Sequence, residues 1–523
     1  MNQRTSSIQS ERDKVLVLEG KVLASEQKIQ SLEHQLDWFK RQLFGRKSEK
    51  RILEPNPEQP LLNGFEPDAP PALEPDKQTI TYTRTKQRGH DCATDVGLRF
   101  DDSVPKKTIH CTAPELTGPN AHEYEHVSDK RTYRLAQRPT SYEVLEYVHP
   151  VLKHTPSGQL LSTPAPSGLW PGSVADVSFV AGLLVDKFVY HQPLYRQHQR
   201  LGREGITLSR ATLSNIAHRA IALIEPVYDA QLRHILLSRI LAIDETPIKA
   251  GRKEKGSMRL CWYWPIFGLD DEVAFTFSRS RGAQHLHATL NGFDGTVLSD
   301  GHSAYRSYAK SVAGTVHAQC WTHSRREFVK AENDEPEAVA EALELIGALY
   351  QVETHIRKKK MNLADTLACR AEHAKPAVDA FFAWCEAQCQ RMDLVPSSPL
   401  SKALKYVRSR DAQLRLYLCD PQLALDTNHL ERTLRVIPMG RKSWLFCWTE
   451  VGAERVGIIQ SLLTTCRLHG VDPHTYLIDV LQRVATHPAS RVEELTPRVW
   501  KTMFANNPLR SDVYNLDVKN GAL

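Results

Sequence analysis

Residues 241–250, LAIDETPIKA, decide how this chain is organised. The apolar run before Asp244 predicts a buried strand with a carboxylate at or near its end, and Glu245 follows directly. Residues 295–305, GTVLSDGHSAY, repeat this pattern with Asp300. Carboxylate oxygens are the ligands that hard cations such as Mg²⁺ prefer, and two neighbouring metal ions can clamp both the attacking and the leaving oxygen of a phosphodiester. The two strand-borne aspartates therefore predict part of a metal site.

A third acid is then expected from elsewhere in the chain. Residues 428–446, NHLERTLRVIPMGRKSWLF, place Glu431 among leucines and arginines at helical spacing. Taken singly, each of these acids has an ordinary explanation, because an Asp after a strand is usually a turn or cap residue and a Glu on a helix is usually solvated. The functional interpretation depends on the three motifs occurring together and in order.

Four segments in this order, AIDETP, SDGHSAY, HAQCWTHSRREF and NHLERTLRVIPMGRKSWLF, resemble the catalytic domain of the insertion sequence 66 family of bacterial transposases. The resemblance continues through FGRKSEK near the start and LHGVDPHTYL near the end, so it covers most of the chain. It implies a DDE transposase, the large catalytic subunit, with a ribonuclease-H-like α/β core. By motif, it assigns the catalytic and metal-binding triad to Asp244, Asp300 and Glu431.

The resemblance also implies two Mg²⁺ (or Mn²⁺) ions per active site, bridged by Asp244, with Asp300 on one ion and Glu431 on the other. Water would attack a phosphodiester at the end of the element, and the freed 3′-OH would then attack target DNA. Two other functions stay open. One is a non-catalytic, sequence-specific DNA-binding protein of a mobile element, and the other is a metal-dependent nuclease without strand transfer.

Three further acids compete with Glu431 for the third position. Glu245 follows Asp244 directly, so on a strand it would point to the opposite face of the sheet. Glu450 and Glu454 lie beyond the motif that carries the resemblance. Glu431 is therefore the preferred third ligand.

The composition indicates two to four domains, because 523 residues are too many for one ordinary core. The net charge of +6 permits nucleic-acid binding without demonstrating it. No signal-like segment opens the chain, and its most apolar stretch, residues 177–190, contains charged residues. The 10 cysteines are scattered, as in reduced cytosolic proteins. We expect a cytoplasmic, nucleoid-associated bacterial protein with no membrane partner.

The overall prediction is a multidomain α+β protein that begins with a coiled coil. Residues 13–44 carry apolar residues every seven positions, a pattern that predicts a dimerisation helix and hence a homo-oligomer, with a helix packed on its own domain as the alternative. The coiled coil and a basic segment occupy residues 1–52. Residues 53–77 are rich in proline and predict an extended linker.

Residues 78–165 predict a small β-rich domain. Related transposases carry a zinc-binding domain here, and His110, Cys111 and His154 are what this chain has in the matching places. A structural zinc site needs four ligands, and four cannot be named. We therefore interpret this region as a degenerate zinc-binding-like domain and do not expect it to bind zinc.

Residues 166–237 predict a helical, helix-turn-helix-like domain. A turn at residues 202–205 precedes SRATLSNIAHRAI, in which Ser209 would cap a helix. The outward side chains would contact DNA, and a plain helical hairpin is the alternative. These predicted DNA-binding residues are Arg210, Thr212, Asn215 and Arg219.

Residues 238–460 predict the catalytic domain, with an all-helical insertion at about residues 331–425 that either positions DNA or forms subunit contacts. Residues 260–267 and 273–278 predict a hairpin. Four basic residues of this domain are further candidates for DNA binding, although the two arginines at 325 and 326 could instead cover a surface acid. They are Arg325, Arg326, Arg441 and Lys442.

His317, Cys320 and His323 of the catalytic domain do not have the spacing of a closed zinc site, and we predict a short strand that passes into a helix. Residues 461–523 predict a C-terminal helical element. The expected partners are DNA, as terminal repeats and target, and accessory proteins that the same element encodes.

Overall fold

The structure is a computed structural model. It describes residues 98–111, 113–138, 141–162, 168–254, 257–392, 394, 396–444, 447 and 449–514. The predicted coiled coil and the proline-rich linker lie outside the described residues.

A small sheet forms the first described part of the chain. Its long hairpin consists of two strands of 15 and 14 residues, which pair along their length. The strands of this region are β1 (Arg99–Phe100), β2 (Lys106–His110), β3 (Tyr124–Arg138), β4 (Ser141–His154) and β5 (Leu160–Ser162). The four-stranded sheet has the order β2-β4-β3, with β5 on β4.

Three helices and one short strand follow: α1 (Val177–Phe188), α2 (Leu194–Arg203), β6 (Ile206–Thr207) and α3 (Arg210–Ile235). Ser209 caps α3, as predicted, because its side chain accepts a hydrogen bond from Thr212 N at 3.0 Å. Leu213, Ile216, Ala217 and Ala220 are buried on the inner face of α3. The helix continues through Pro226 to residue 235, and Val227, Ala230 and Ile235 are also buried. Strand β6 pairs with β1.

A mixed six-stranded sheet lies at the centre of the described chain. Its strands are β7 (Ile240–Ile243), β8 (Thr246–Glu254), β9 (Ser257–Phe267), β10 (Val273–Ser278), β11 (Thr296–Ser299) and β12 (Val316–Gln319). The order is β10-β9-β7-β11-β12, with β8 on β9. Strands β7, β11 and β12 are parallel, and β8, β9 and β10 are joined by antiparallel pairs. The predicted hairpin is therefore confirmed as β9 and β10.

The stretch from residue 241 to 250 forms two strands rather than one. Strand β7 is fully buried, ends at Ile243 and precedes a break at Asp244 and Glu245. The Asp244 side chain accepts a hydrogen bond from the backbone N–H of Glu245 at 2.8 Å, which turns the carboxylate back onto the chain. Strand β8 then starts at Thr246 and pairs with β9.

Helices follow the strands of the central sheet and cover it. They are α4 (Ala283–Leu290), α5 (Ser303–Ser311) and α6 (Trp321–Val329), and later α12 (Asn428–Leu434), α13 (Val436–Trp444), α14 (Glu450–Leu468), α15 (Pro473–Arg483) and α16 (Pro497–Met503). Helix α14 packs on β10 so closely that a Cβ on Gly457 would lie 2.5 Å from the carbonyl oxygen of Phe275. Ser461 Oγ accepts a hydrogen bond from Phe275 N at 2.8 Å. The edge strand is thereby covered.

The segment between α6 and α12 is helical in its described residues, as the sequence predicts. It contains α7 (Pro336–Lys359), α8 (Leu363–Cys369), α9 (Lys375–Cys389), α10 (Pro399–Arg408) and α11 (Asp411–Arg415), and a π-helical turn at Arg370–Ala374 joins α8 to α9. Its core packs against α6, where Phe381 lies 5.3 Å from Trp321 between ring centroids. Along the described part of the chain, no helix is both long and apolar enough to cross a membrane.

Candidate active site

The two strand-borne aspartates lie at the same edge of the central sheet. Strands β7 and β11 are parallel neighbours, and Ala242 is paired with Leu298. Asp244 lies two residues after Ala242, and Asp300 lies two residues after Leu298. The two acids therefore occupy corresponding positions beyond the carboxyl ends of adjacent strands. Adjacent strands are about 4.8 Å apart, which brings the two carboxylates close together. The Asp300 side chain accepts a hydrogen bond from His302 N at 2.8 Å.

Helix α12 brings Glu431 to the same edge. The helix is anchored to β9 by a T-shaped contact between Phe267 and His429, with ring centroids 4.9 Å apart. Arg326 Nη2 of α6 donates a hydrogen bond to Glu431 Oε2 at 2.6 Å. The other oxygen, Oε1, is buried and makes no hydrogen bond, although His323 Nε2 lies 3.9 Å away. One oxygen of this carboxylate is thus held by an arginine and one is unsatisfied.

The electrostatics of Asp244 report how close the acids are. The pKa of Asp244 is raised from 3.8 to about 7. Burial is the largest cause, and the nearby carboxylates of Glu245, Asp300 and Glu431 contribute to the rise. Burial lowers the pKa of His323, against the opposing influence of Asp300 and Glu431. The four carboxyl groups of residues 244, 245, 300 and 431 therefore form one electrostatically coupled group, which we call the acidic cluster.

Glu245 belongs to the acidic cluster but has its own partners. Tyr305 Oη donates a hydrogen bond to its Oε2, and Arg281 Nε donates one to its Oε1 at 2.7 Å. Arg281 also lies 5.0 Å from the centre of the Trp262 ring, which fixes its position. These contacts neutralise Glu245 and occupy both of its oxygens.

The other competing acids have different surroundings. Arg259 and Arg279 donate hydrogen bonds to Glu450 at 3.4 Å and 2.6 Å. Burial raises the pKa of Glu454, which lies close to Glu450. The carboxylates that raise the pKa of Asp244 are instead those of the acidic cluster.

The acidic cluster offers oxygen ligands of the kind that hard cations prefer. Within the described ranges, however, no three His, Cys, Asp or Glu side chains are grouped as they would be around a metal ion. Arg326 occupies one oxygen of Glu431, and Glu245 is turned towards Arg281. The cluster therefore has the negative charge and the oxygen atoms that a hard cation needs, with one Glu431 oxygen held by Arg326.

The residues of the histidine and cysteine motif diverge. His317 Nε2 lies 2.8 Å from Ser299 Oγ beneath the sheet edge, and Cys320 Sγ accepts a hydrogen bond from Thr427 N at 3.3 Å. The predicted strand and helix are confirmed as β12 and α6. His317 lies beside Asp300, and His323 approaches Glu431, with 3.9 Å between Nε2 and Oε1, a position that the sequence reasoning missed. Its spacing of one helical turn before Arg326 was the available signal.

The predicted DNA-binding residues are divided between two places. Arg210, Asn215 and Arg219 are exposed along α3, whereas the Thr212 hydroxyl lies 2.9 Å from Ser209 Oγ and belongs to the helix cap. Arg219 also covers Trp170, with its guanidinium 5.0 Å from the ring centre. None of these residues takes part in the hydrogen bonds of the acidic cluster.

The remaining basic candidates lie on α6 and α13. Arg326 pairs with the acid Glu431, as in the alternative that these arginines cover a surface acid rather than bind DNA. Arg325 is exposed. Arg441 Nη1 donates a hydrogen bond to the carbonyl of Pro247 at 2.7 Å, and Lys442 is exposed. In the small β-rich domain, His154 lies 2.7 Å from Ser157 Oγ and 3.3 Å from Glu123.

A mixed sheet with carboxylates gathered at one edge is typical of enzymes that act on phosphodiesters, and comparison with known proteins identifies the family. Residues 172–455 match the transposase IS66 family, residues 461–498 match the IS66 C-terminal element, and residues 31–107 match a region described as transposase C of IS166 homeodomain. The chain belongs to the transposase IS66 family.

Two proteins from Sinorhizobium fredii (strain NBRC 101917 / NGR234) are similar to the greater part of this chain. The uncharacterized protein y4hP is 30% identical over 396 residues, which are 72% of this chain and 71% of the relative. The uncharacterized protein y4jD is 30% identical over 360 residues, 65% of this chain and 69% of the relative. Family membership gives the chain a transposition-related function with DNA as its partner. The homeodomain match precedes residues 166–237, where the sequence predicts a DNA-binding domain.

Proposed function

We propose that the chain is a DDE-type transposase that cuts DNA at the ends of an insertion sequence and joins the freed 3′ ends to target DNA. The observation that carries this proposal is the convergence of Asp244, Asp300 and Glu431 from two parallel strands and a later helix. The strand order, with three antiparallel strands followed by two parallel ones, supports a ribonuclease-H-like core.

We assign Asp244, Asp300 and Glu431 to hold two divalent cations, Mg²⁺ or Mn²⁺. The buried, unsatisfied Oε1 of Glu431 and the raised pKa of Asp244 support this assignment, because an unpaired carboxylate oxygen can accept a ligand and a buried acid beside other carboxylates is favoured in its ionised form by a bound cation. Such cations, when bound, polarise the scissile phosphate and lower the pKa of water.

The chain's own residues prepare the site. Arg281 and Tyr305 orient and neutralise Glu245, so that this acid does not compete for the cation. His323 and Arg326 stand on one face of α6 beside Glu431. If Glu431 turned to a cation, Arg326 would be free to bind a phosphate of the DNA backbone, because a guanidinium binds phosphate well. This step joins the predicted DNA-binding role of Arg326 to its observed contact.

Further parts of the proposal concern binding and assembly. The exposed Arg210, Asn215 and Arg219 on α3, and Arg325, Arg441 and Lys442 near the core, are proposed to contact phosphates of terminal or target DNA. The coiled coil is proposed to form a homo-oligomer, and accessory proteins from the same element are proposed to join the complex. The salt dependence of DNA binding would report how many of these basic side chains contact phosphates.

The decisive experiment measures Mg²⁺- or Mn²⁺-dependent cleavage and strand transfer on DNA that carries the ends of the element. The variants are Asp244→Asn, Asp300→Asn and Glu431→Gln, with Glu450→Gln as the matched control. We expect the three cluster variants to lose both reactions, by at least about 100-fold, while still binding DNA. The control variant should retain them.

Each other outcome identifies a different function. Cleavage without joining by the wild type would support a nuclease, and binding without any cleavage, with accessory proteins present, would support a non-catalytic DNA-binding protein. Cleavage that survives Glu431→Gln and is lost in Glu450→Gln would transfer the third position to Glu450.

A further inference from the structure

The helical insertion reaches the acidic cluster through the end of α10. Gly301, directly after Asp300, lies against two side chains from this end of the insertion. A Cβ on Gly301 would lie 2.7 Å from Arg410 Nη2 and 2.7 Å from Tyr406 Oη. A side chain at this position would therefore displace the arginine or the tyrosine. The glycine lets the insertion approach the backbone beside Asp300 closely.

Arg410 is held in place but uses only part of its hydrogen-bonding capacity. Its guanidinium stacks on Tyr406, with 3.7 Å between the central carbon and the ring centre. Nη1 donates hydrogen bonds to the carbonyl of Tyr406 at 2.8 Å and to Ser409 Oγ at 2.9 Å. Nε is buried and has no hydrogen-bond partner. Within the described part of the chain, Nη2 makes no hydrogen bond either.

The unused groups, Nε and Nη2, form one edge of the guanidinium. This edge presents two parallel N–H donors, the geometry that binds a phosphate or a carboxylate through two oxygens. A buried N–H group without a partner costs folding free energy, so the arrangement favours a ligand that supplies two acceptors. Burial lowers the pKa of Arg410, while Asp300 is near enough for its negative charge to raise that pKa to a smaller extent. The two residues form no ion pair in the described structure.

Other arginines of the insertion differ from Arg410 in this respect. Arg408, two residues earlier, donates hydrogen bonds to both oxygens of Glu386, at 2.8 Å and 3.0 Å. Arg415 binds Asp379 and Asp411. The arginine beside the acidic cluster is thus the one of these three whose Nε and Nη2 donate to no protein acceptor among the described residues. Arg306 of α5 adds a second positive charge near it.

We propose that Arg410 binds a phosphate of the DNA backbone next to the scissile phosphodiester, so that the helical insertion forms one wall of the active site. Tyr406 positions the guanidinium by stacking on it, and the lack of a side chain at Gly301 leaves the space that the guanidinium occupies. The proposal rests on the proposed function, because it assumes that DNA lies at the acidic cluster. It also gives the insertion a task, positioning DNA, that the sequence left open between two alternatives.

The test is a neutral-phosphate scan. Duplexes that carry one end of the element receive a single methylphosphonate at each position around the cleavage site, and their affinity is measured by fluorescence anisotropy with Ca²⁺ in place of Mg²⁺. We expect the wild type to lose about 10-fold in affinity at one position, the size of a charge-assisted hydrogen-bonded contact. Arg410→Ala should bind unmodified DNA about 10-fold more weakly and lose nothing further at that position.

Two more variants separate this contact from a structural effect. Arg408→Ala removes an arginine from the same end of α10 and should keep the wild-type pattern. Arg410→Lys keeps the charge without the fork, and should lose most of the sensitivity at the one position even if Arg410→Ala does not fold. A wild-type pattern in both Arg410 variants, or the same altered pattern in Arg408→Ala, would overturn the proposal.

The failure of the proposed function would look different. Asp244→Asn should abolish cleavage and leave the methylphosphonate pattern intact. If the wild type shows no cleavage that depends on Asp244, the proposed reaction is wrong, and the phosphate scan still decides whether Arg410 binds DNA.

Discussion

Replacing Asp244 by Asn should stabilise the metal-free protein at high pH. Asp244 is mostly buried among other carboxylates, and its pKa is about 7 instead of 3.8. A carboxyl group with a higher pKa in the folded than in the unfolded chain binds more protons when folded. The folded state therefore loses stability as the pH rises from about 4 to about 7, and loses no more above that range. Asparagine keeps the shape of the protonated acid and has no charge to lose.

The size of the effect follows from the same pKa values. A rise from 3.8 to about 7 costs the ionised folded state about 4 kcal/mol, at about 1.4 kcal/mol for each pKa unit. Above pH 7 the whole cost is present, and near pH 4 almost none of it is. Asp244→Asn should therefore nearly match the wild type at pH 4, exceed it by about 2 kcal/mol at pH 5 and exceed it by about 4 kcal/mol at pH 8.

The assay is thermal unfolding in EDTA at pH 5 and pH 8, with the exposed Asp294→Asn as control. The wild type should lose more of its melting temperature than Asp244→Asn between these two pH values, and the control should follow the wild type. Added Mg²⁺ at pH 8 should raise the melting temperature of the wild type and of the Asp294→Asn control but not that of Asp244→Asn, because a ligand stabilises the state that binds it. A constant difference between wild type and Asp244→Asn at both pH values would refute the reasoning.

Two further predictions concern the neighbours of the acidic cluster. Arg326→Ala frees the second oxygen of the third acid, so calorimetry should find Mg²⁺ bound several-fold more tightly than by the wild type; Arg325→Ala, whose arginine is exposed, should bind it unchanged. An equal change in both variants would contradict the specific contact. Glu450→Gln should keep cleavage within about two-fold and lower stability by about 1 kcal/mol, since its arginine partners are largely exposed. Unfolding and cleavage would be measured on the same preparation of Glu450→Gln, and a loss of cleavage larger than about two-fold would indicate a catalytic role for Glu450.

Local patterns predicted the sheet edge well, because they depend on short-range chemistry. The apolar run before Asp244 and the one before Asp300 each form a buried strand that ends just before the acid. The aromatic runs form a hairpin because β-branched and aromatic residues alternate on both sides of a turn. Ser209 caps its helix because a serine before a helical pattern supplies the missing acceptor.

The contacts across the site could not be read from these patterns. The local sequence marks Arg326 only as a basic residue near the start of a helix. The acid that it binds comes from α12, after the whole insertion. Arg410 had no local signal at all, since it follows a helix of ordinary composition. Its importance comes only from the packing of the insertion against Gly301. Such pairings are decided by tertiary structure rather than by local sequence.

The arginines around the acidic cluster are paired with only some of its four acids. Glu245 is paired with Arg281, and Glu431 with Arg326. Asp244 and Asp300 form no ion pair among the described residues, and their side chains accept backbone hydrogen bonds at 2.8 Å. Two neighbouring carboxylates that form no ion pair repel each other when both are ionised. The folded chain thus compensates two of the four acids itself and leaves uncompensated the two that end adjacent parallel strands, where we propose the divalent cations to bind.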